Sequence, residues 1–298
     1  MKALVVINPK AGGGKGLTLG NKVRSLLASG SDQISYVQAT SLEACLSEAS
    51  ALCSENTFDV LVCVGGDGLI HDLLPILIGA NLPLLVIPAG TGNDFARTLG
   101  VYGKKIESLL ELPRRSKPIE IDICEIVHGN SGTPFVQILS TGFDSIVNER
   151  ANEMRLIRGK IKYVLAVLEK VWKFRAIDFR VTIDGIVLEQ RAMLVCVANG
   201  TSYGGGMKIA PHAKHDDGIL DIMIVDRVNP FRLLLVFPRV FFGTHVKHPR
   251  VHFFTGKEIQ ISGDTVAFAD GERIAKLPIS ISVASQKLAA FTISAHTV

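Results

Sequence analysis

The chain is short of cysteine, and the cysteines it has show no pairing pattern. There are five: Cys45, Cys53, Cys63, Cys124 and Cys196. The number is odd and no CxxC pair occurs, which excludes a disulfide framework or a zinc site as the organising feature and fits a reducing compartment. An apolar run of about 18 residues, the length a helix needs to cross a bilayer, is also missing. The opening stretch, MKALVVINPK, holds too short an apolar run for a secretory signal and reads as a buried first strand ending in a loop. Net charge is small, +4, with a pI near 8.8. That balance is a weak pull towards an anionic partner, and membrane, nucleotide and nucleic acid all qualify. No internal repeat or low-complexity linker is visible. What the chain does have is apolar material: 47% of 298 residues. Disorder is excluded, and there is enough core for one large domain or two ordinary ones.

The first part alternates. Apolar runs at 2–8, 34–38, 59–64 and 84–88 predict strands, and helical spacing at 17–29, 41–54 and 69–79 predicts the helices between them. Unbroken apolar strands alternating with helices indicate an α/β domain with a Rossmann-like parallel sheet covered on both faces. The loops after such strands lie at the sheet's carboxyl edge, where ligands usually bind. Near residue 120 the pattern changes. FRVTID (179–184) alternates strictly, and Asp184-Gly185 predicts a hairpin turn into the next strand. Further strands at 219–225, 258–262, 265–269 and 279–283 predict an antiparallel β-sandwich, interrupted by a helical region over 146–174. The boundary falls between Ile119 and Ile123, giving domains 1–121 and 122–288.

Three loops carry chemistry. NPKAGGGKG (8–16) has the glycine spacing that lets backbone N–H groups approach phosphate oxygens. It is neither a Walker A loop, since Pro9 and Gly16 stand where Gly and Ser/Thr are required, nor a Rossmann fingerprint, since Leu17 takes the third glycine's place. Taken alone it is equally well a turn. GGDG (65–68) directly follows the apolar strand DVLVCV; its carboxylate can reach a magnesium ion or its water shell, or can simply cap the next helix. PAGTGNDFAR (88–97) repeats the arrangement after the next strand, with Thr91, Asn93 and Asp94 where a helix should begin. Two such loops after successive parallel strands lie side by side and make a bed for a nucleotide.

In that order and spacing, NPKAGGGKG, GGDG and PAGTGNDFAR resemble the catalytic domain of the diacylglycerol kinase superfamily. The soluble bacterial lipid kinases related to sphingosine and ceramide kinases are the nearer likeness. TGFDSIV (141–147), SYGGGMKIAPHAKHDDGILDIMIV (202–225), GTHVKHPRV (243–251) and FADGE (268–272) continue the resemblance over nearly the whole chain.

The resemblance implies an ATP-dependent lipid kinase. An N-terminal domain (1–121, completed by 289–298) would bind ATP and Mg2+, facing a C-terminal β-sandwich (122–288) across a nucleotide cleft. By similarity Asn8, Thr40, Gly65, Gly66, Asp67, Gly68, His71 and Thr91 contact ATP. Asp67, Asp94 and Asp122 form an acidic network around magnesium. Asp217, with the carbonyls of Lys214 and Ile219, holds a second, structural metal, and Glu272 is the general base. Read without the resemblance, Asp270-Gly271 is a hairpin turn and Glu272 a solvated side chain. The sequence departs from the family at Leu69, where the family has Thr, and at His71-Asp72, where it has an Asn-Glu pair. A lost hydroxyl there weakens nucleotide binding by about 1 kcal/mol.

The resemblance also implies a diacylglycerol-like membrane lipid as substrate, and a cytoplasmic protein peripheral at the inner membrane face. Residues 150–175 hold eight Lys or Arg against two Glu, with Trp172 and Phe174 among them, as helices at anionic membrane surfaces do; an ordinary solvated face reads the same. FRLLLVFPRVFFG (231–243) is a second membrane candidate and is read first as a core helix. Two other functions are open. GTGND and the DDG turn argue against an NAD-kinase-like enzyme for a soluble substrate, and Leu69 alone supports a non-catalytic lipid- or nucleotide-binding regulator. No nucleic-acid partner is expected, because the basic stretch comes with no nucleic-acid motif.

Overall fold

The structure, a computed structural model, describes residues 1–28, 32–39, 41–154 and 160–293. The chain divides into two compact units, Met1–Ile121 with Gln286–Val298, and Asp122–Ser285.

The first unit is an α/β layer structure. Its strands β1 (Lys2–Ile7), β2 (Gln33–Val37), β3 (Val60–Gly65) and β4 (Leu84–Pro88) pair in the order β2-β1-β3-β4, all in parallel. Nearly every residue of β1, β3 and β4 is buried, which is why these strands read as unbroken apolar runs. The helices are α1 (Lys15–Ala28), α2 (Leu42–Glu55), α3 (Asp67–Ala80), α4 (Asp94–Thr98), α5 (Ile106–Leu110) and α6 (Leu112–Arg115). Ser41 caps α2 by accepting the Ala44 N–H at 3.2 Å. Two helices begin earlier than their apolar spacing predicts, α1 at Lys15 and α3 at Asp67.

The second unit is antiparallel. Its strands are β5 (Ile119–His128), β6 (Ser131–Phe135), β7 (Ile138–Gly142), β8 (Ile177–Ile183), β9 (Ile186–Ala198), β10 (Leu220–Asp226), β11 (Val251–Gly256), β12 (Glu258–Ser262), β13 (Val266–Ala269), β14 (Glu272–Lys276) and β15 (Ile279–Ala290). The long strand β9 organises them. Its first half pairs with β8 through the Asp184-Gly185 hairpin, both turn residues at positive φ. Its second half lies between β7 and β10. Alternate residues, among them Val195 and Val197 of β9 with Phe179, Val181 and Ile222, fill a sandwich core. β15 leaves this unit and ends in the first, where Ala290 pairs in parallel with Leu84 of β4.

Three helices lie on the second unit: α7 (Phe143–Glu153), α8 (Lys160–Lys170) and α9 (Pro230–Val240). The expectation that 231–243 forms a core helix is overturned, since no residue of α9 is buried. Leu235 and Phe231 stand largely exposed, as do Ile161, Leu168 and Trp172 on and after α8. Trp172 meets Phe231 edge-on at 4.9 Å, so the two helices share one exposed apolar face. Arg232, Arg239, Lys173 and Arg175 are exposed around it. Among the described residues no helix is long and apolar enough to cross a membrane.

Candidate active site

In the first unit the three glycine loops converge at the carboxyl edge of β1, β3 and β4. Gly65 passes its carbonyl to the N–H groups of Ala89 and Gly90, at 2.7 and 3.2 Å. This brings Gly66 and Gly90 backbone to backbone: a Cβ on Gly90 would sit 2.5 Å from the Gly66 Cα. The 8–16 segment joins them, because a Cβ on Gly12 would lie 2.2 Å from the Ala89 carbonyl oxygen, at a φ of +55° that already favours glycine. The third loop is locked from within. Asn93, left-handed at φ 54°, accepts the Gly90 N–H at 2.8 Å and donates its amide to the Gly90 carbonyl at 2.7 Å.

Asp67 binds two of the loops together. Its carboxylate oxygens accept the N–H groups of Asp94 and Phe95, both at 3.1 Å, which are orphan donors at the start of α4. Gly66, not Asp67, is the N-cap of α3. The capping role considered for Asp67 therefore exists, but towards the other helix. A carboxylate offers about four acceptor sites, and these two bonds use half of them. Asp94 itself is buried at the first position of α4.

The other predicted nucleotide contacts lie around these loops. Asn8 turns the chain by accepting the Lys10 N–H at 3.0 Å through its side chain. Gly65 is buried, Gly66 and Gly68 are half-buried, and Thr91 is exposed. His71, one turn along α3 from Asp67, is buried; burial raises the carboxyl of its neighbour Asp72, and His71 partly opposes that rise. Thr40 lies outside the described residues. A cavity of about 260 Å³ opens beside the loops, lined by Asn8, Pro9, Lys10, Ser41, Leu42 and Leu69 among others. Leu69 is 5% exposed and packs against Gly65. The residue that departs from the family pattern thus forms an apolar patch in the wall of this cavity.

In the second unit Asp122 is fully buried. Its backbone N–H donates to the His215 carbonyl at 2.7 Å and its carboxylate accepts the Gly218 N–H at 2.7 Å. It therefore staples the DDG turn from both ends, a link with no local signal in the sequence. On that turn Lys214 and Asp217 are exposed, Ile219 is half-buried, and the Asp217 carboxylate accepts the Ile219 N–H at 3.1 Å.

Glu272 opens β14, exposed, directly after the Asp270-Gly271 turn. The turn is a hairpin, as the bland reading has it, but it is pinned. The Asp270 carboxylate accepts the N–H groups of Val136, Gln137 and Ile138 at 3.0, 3.0 and 3.3 Å. The role of Asp270 as an anchor is the functional feature that sequence reasoning missed, though DGE contains it.

Among the described residues no group of three or more His, Cys, Asp or Glu is gathered to hold a metal. Magnesium in phosphoryl transfer does not need one, since it is held by one or two carboxylates plus the nucleotide's own phosphates. Asp67 and Asp94, hard oxygen donors beside loops whose N–H groups suit phosphate, fit that arrangement. None of the five thiols is in a disulfide. Burial pushes every one of their pKa values up, so none is poised as a nucleophile.

Comparison with known proteins agrees over both units. Residues 2–126 match the diacylglycerol kinase catalytic domain, and residues 137–292 match the YegS C-terminal NAD kinase beta sandwich-like domain. A diacylglycerol kinase of Mycobacterium tuberculosis (strain CDC 1551 / Oshkosh) is 36% identical over 229 residues, 75% of this chain and 74% of that one. One from Staphylococcus saprophyticus is 29% identical over 299 residues, covering 98% and 95%. A solved structure from Bacillus anthracis str. Sterne superposes with a TM-score of 0.77 at 26% identity, over 99% of this chain and 98% of that one.

Proposed function

The chain belongs to the diacylglycerol kinase family of lipid kinases, and we propose that it transfers the γ-phosphate of ATP to a hydroxyl of a diacylglycerol-like membrane lipid. The observation that carries this reading is the convergence of three glycine loops on one another, with Asp67 spanning two of them. Backbone N–H groups at close quarters cradle phosphate, and the cavity lined by Asn8, Lys10 and Leu69 receives the rest of the nucleotide.

In this proposal Asn8, Thr40, Gly65, Gly66, Gly68, His71 and Thr91 bind ATP. Asp67, Asp94 and Asp122 hold Mg2+, which when bound neutralises charge on the transferring phosphate. Glu272 accepts the proton of the lipid hydroxyl as the new P–O bond forms and the bond to the β-phosphate breaks, releasing ADP. The exposed apolar face of α8 and α9, with its basic surround, makes peripheral contact with an anionic membrane. The protein is placed in the cytoplasm, at the inner face.

The deciding experiment supplies labelled ATP, magnesium and a panel of lipids in mixed micelles to the wild type and to Asp67→Ala. Labelled lipid that vanishes in the variant supports the reading. ATP binding with no labelled lipid from any member of the panel rejects it.

The DDG turn is assigned a structural Mg2+, held by the Asp217 carboxylate and the carbonyls of Lys214 and Ile219. All three donors are hard oxygens, as this ion requires. Asp217→Ala is expected to abolish the rise in melting temperature that magnesium gives the wild type. A wild-type melting temperature indifferent to magnesium rejects the site.

A further inference from the structure

The second unit encloses an apolar cavity that the proposed chemistry does not use. Its volume is about 80 Å³. Met193, Met207 and Met223 line it from the strands, Val167 from α8, and Leu233, Val236, Phe237 and Val240 from α9. One polar group on its wall is unfinished. His245 is 2% exposed, and its Nε2 lies 3.0 Å from the Ile209 carbonyl oxygen. A carbonyl can only accept, so Nε2 carries the hydrogen and Nδ1 is left as an acceptor. Nδ1 is buried and has no hydrogen-bond partner among the described residues. Native cores seldom leave such an atom, and a cavity wall is where one is explained by a ligand.

The cavity is too small for an alkyl chain as it stands, being less than the share of three water molecules at about 30 Å³ each. A wall has to move, and α9 is the wall with the weakest hold. None of its residues is buried, so its inner contacts are all half-buried ones. Its outer side is apolar too: Phe231 and Leu235 are 65% and 74% exposed. A helix apolar on both sides has a reason to leave the protein for a bilayer. α9 carries no acidic residue, and Arg232 and Arg239 complement anionic headgroups.

We propose that α9 is a movable wall which lifts at the membrane surface and admits one apolar chain of the lipid into this cavity. The occupant rests on the lipid-kinase reading; the site does not. Other polar groups on the lining are already matched. Asp144 accepts hydrogen bonds from Ser140, Asn148 and Tyr163. His245 Nδ1 is the acceptor open to a donor that enters with the chain.

The test uses cis-parinaric acid, a polyene fatty acid that fluoresces in apolar surroundings, with the full chain and no ATP. Saturable binding of one equivalent is expected, with displacement by 1-dodecanol. Met223→Phe fills the cavity from the strand side and Val240→Phe from the helix side. Each is expected to weaken the probe at least tenfold, and whichever keeps the wild-type melting temperature decides the point. Wild-type affinity in a folded filling variant, or a probe signal that never saturates in the wild type, overturns the proposal. Saturable binding lost on filling, in a protein that phosphorylates no lipid, keeps the cavity and sinks the kinase reading. Lipid phosphorylation with an unsaturable probe signal does the reverse.

Discussion

Glu272→Ala is expected to lower lipid phosphorylation by about two to four orders of magnitude, the range a general base supplies, while magnesium–ATP binding stays near wild type. The split follows from where the residue sits. Glu272 belongs to the antiparallel unit, and the three glycine loops belong to the parallel one. Its side chain is exposed at the start of β14, so its loss opens no cavity. Its backbone is positioned by Asp270, which takes three N–H groups from residues 136–138 and survives the substitution. The variant therefore tests chemistry and not folding. Glu272→Gln refines it, keeping the shape and a hydrogen-bonding side chain while losing the basic oxygen. Both variants turning over lipid at the wild-type rate, with kcat unchanged, would remove Glu272 from the base role and return it to the solvated side chain that a DG hairpin ordinarily carries. A loss of ATP binding in parallel with activity would instead make it a nucleotide contact.

The sequence displayed some of this architecture and concealed the rest for definable reasons. The parallel sheet was legible because strands buried on both faces must be apolar at every position, as in VLVCVG of β3. The Asp184-Gly185 hairpin was legible because the turn needs positive φ at both residues. The glycine loops were visible as loops, but the reason for their glycines was not. Gly16 reads as the end of a loop, yet it lies inside α1, where a Cβ would be 1.9 Å from the Asn8 carbonyl oxygen. Propensity gives the wrong boundary there because a tertiary contact chose the residue. The bond from Asp67 to the start of α4 spans 27 residues, and that from Asp122 to Gly218 spans 96. No local pattern encodes either. For α9 the difficulty is different: apolar periodicity is the same whether a helix faces a core or the outside, and only the packing shows that none of it is buried.

Gly90→Ala should be the most damaging methyl group that can be added to the nucleotide loops. Gly90 does not occupy the left-handed region, so alanine is conformationally permitted and the effect is purely one of contact. The new Cβ would lie 2.5 Å from the Gly66 Cα and 2.9 Å from the Asn93 side-chain oxygen. The first neighbour is backbone and cannot swing aside. The second is the oxygen that accepts the Gly90 N–H and locks the loop. Relief requires the GGDG and GTGND loops to part, and Asp67, which holds the start of α4 from across that gap, opposes it. Overpacking of this kind costs roughly 1–3 kcal/mol, so a fall in melting temperature is expected, with at least a tenfold loss in ATP affinity by calorimetry. Gly79→Ala is the control. It lies in α3 with nothing within 4 Å of the added atom, and alanine for glycine in a helix stabilises by about 0.5–1 kcal/mol. Opposite signs in the two variants locate the effect in the contact between the loops. If Gly90→Ala binds ATP as tightly as the wild type, the loops are not the bed of the nucleotide, and the phosphate site must be sought among other donors of the parallel unit.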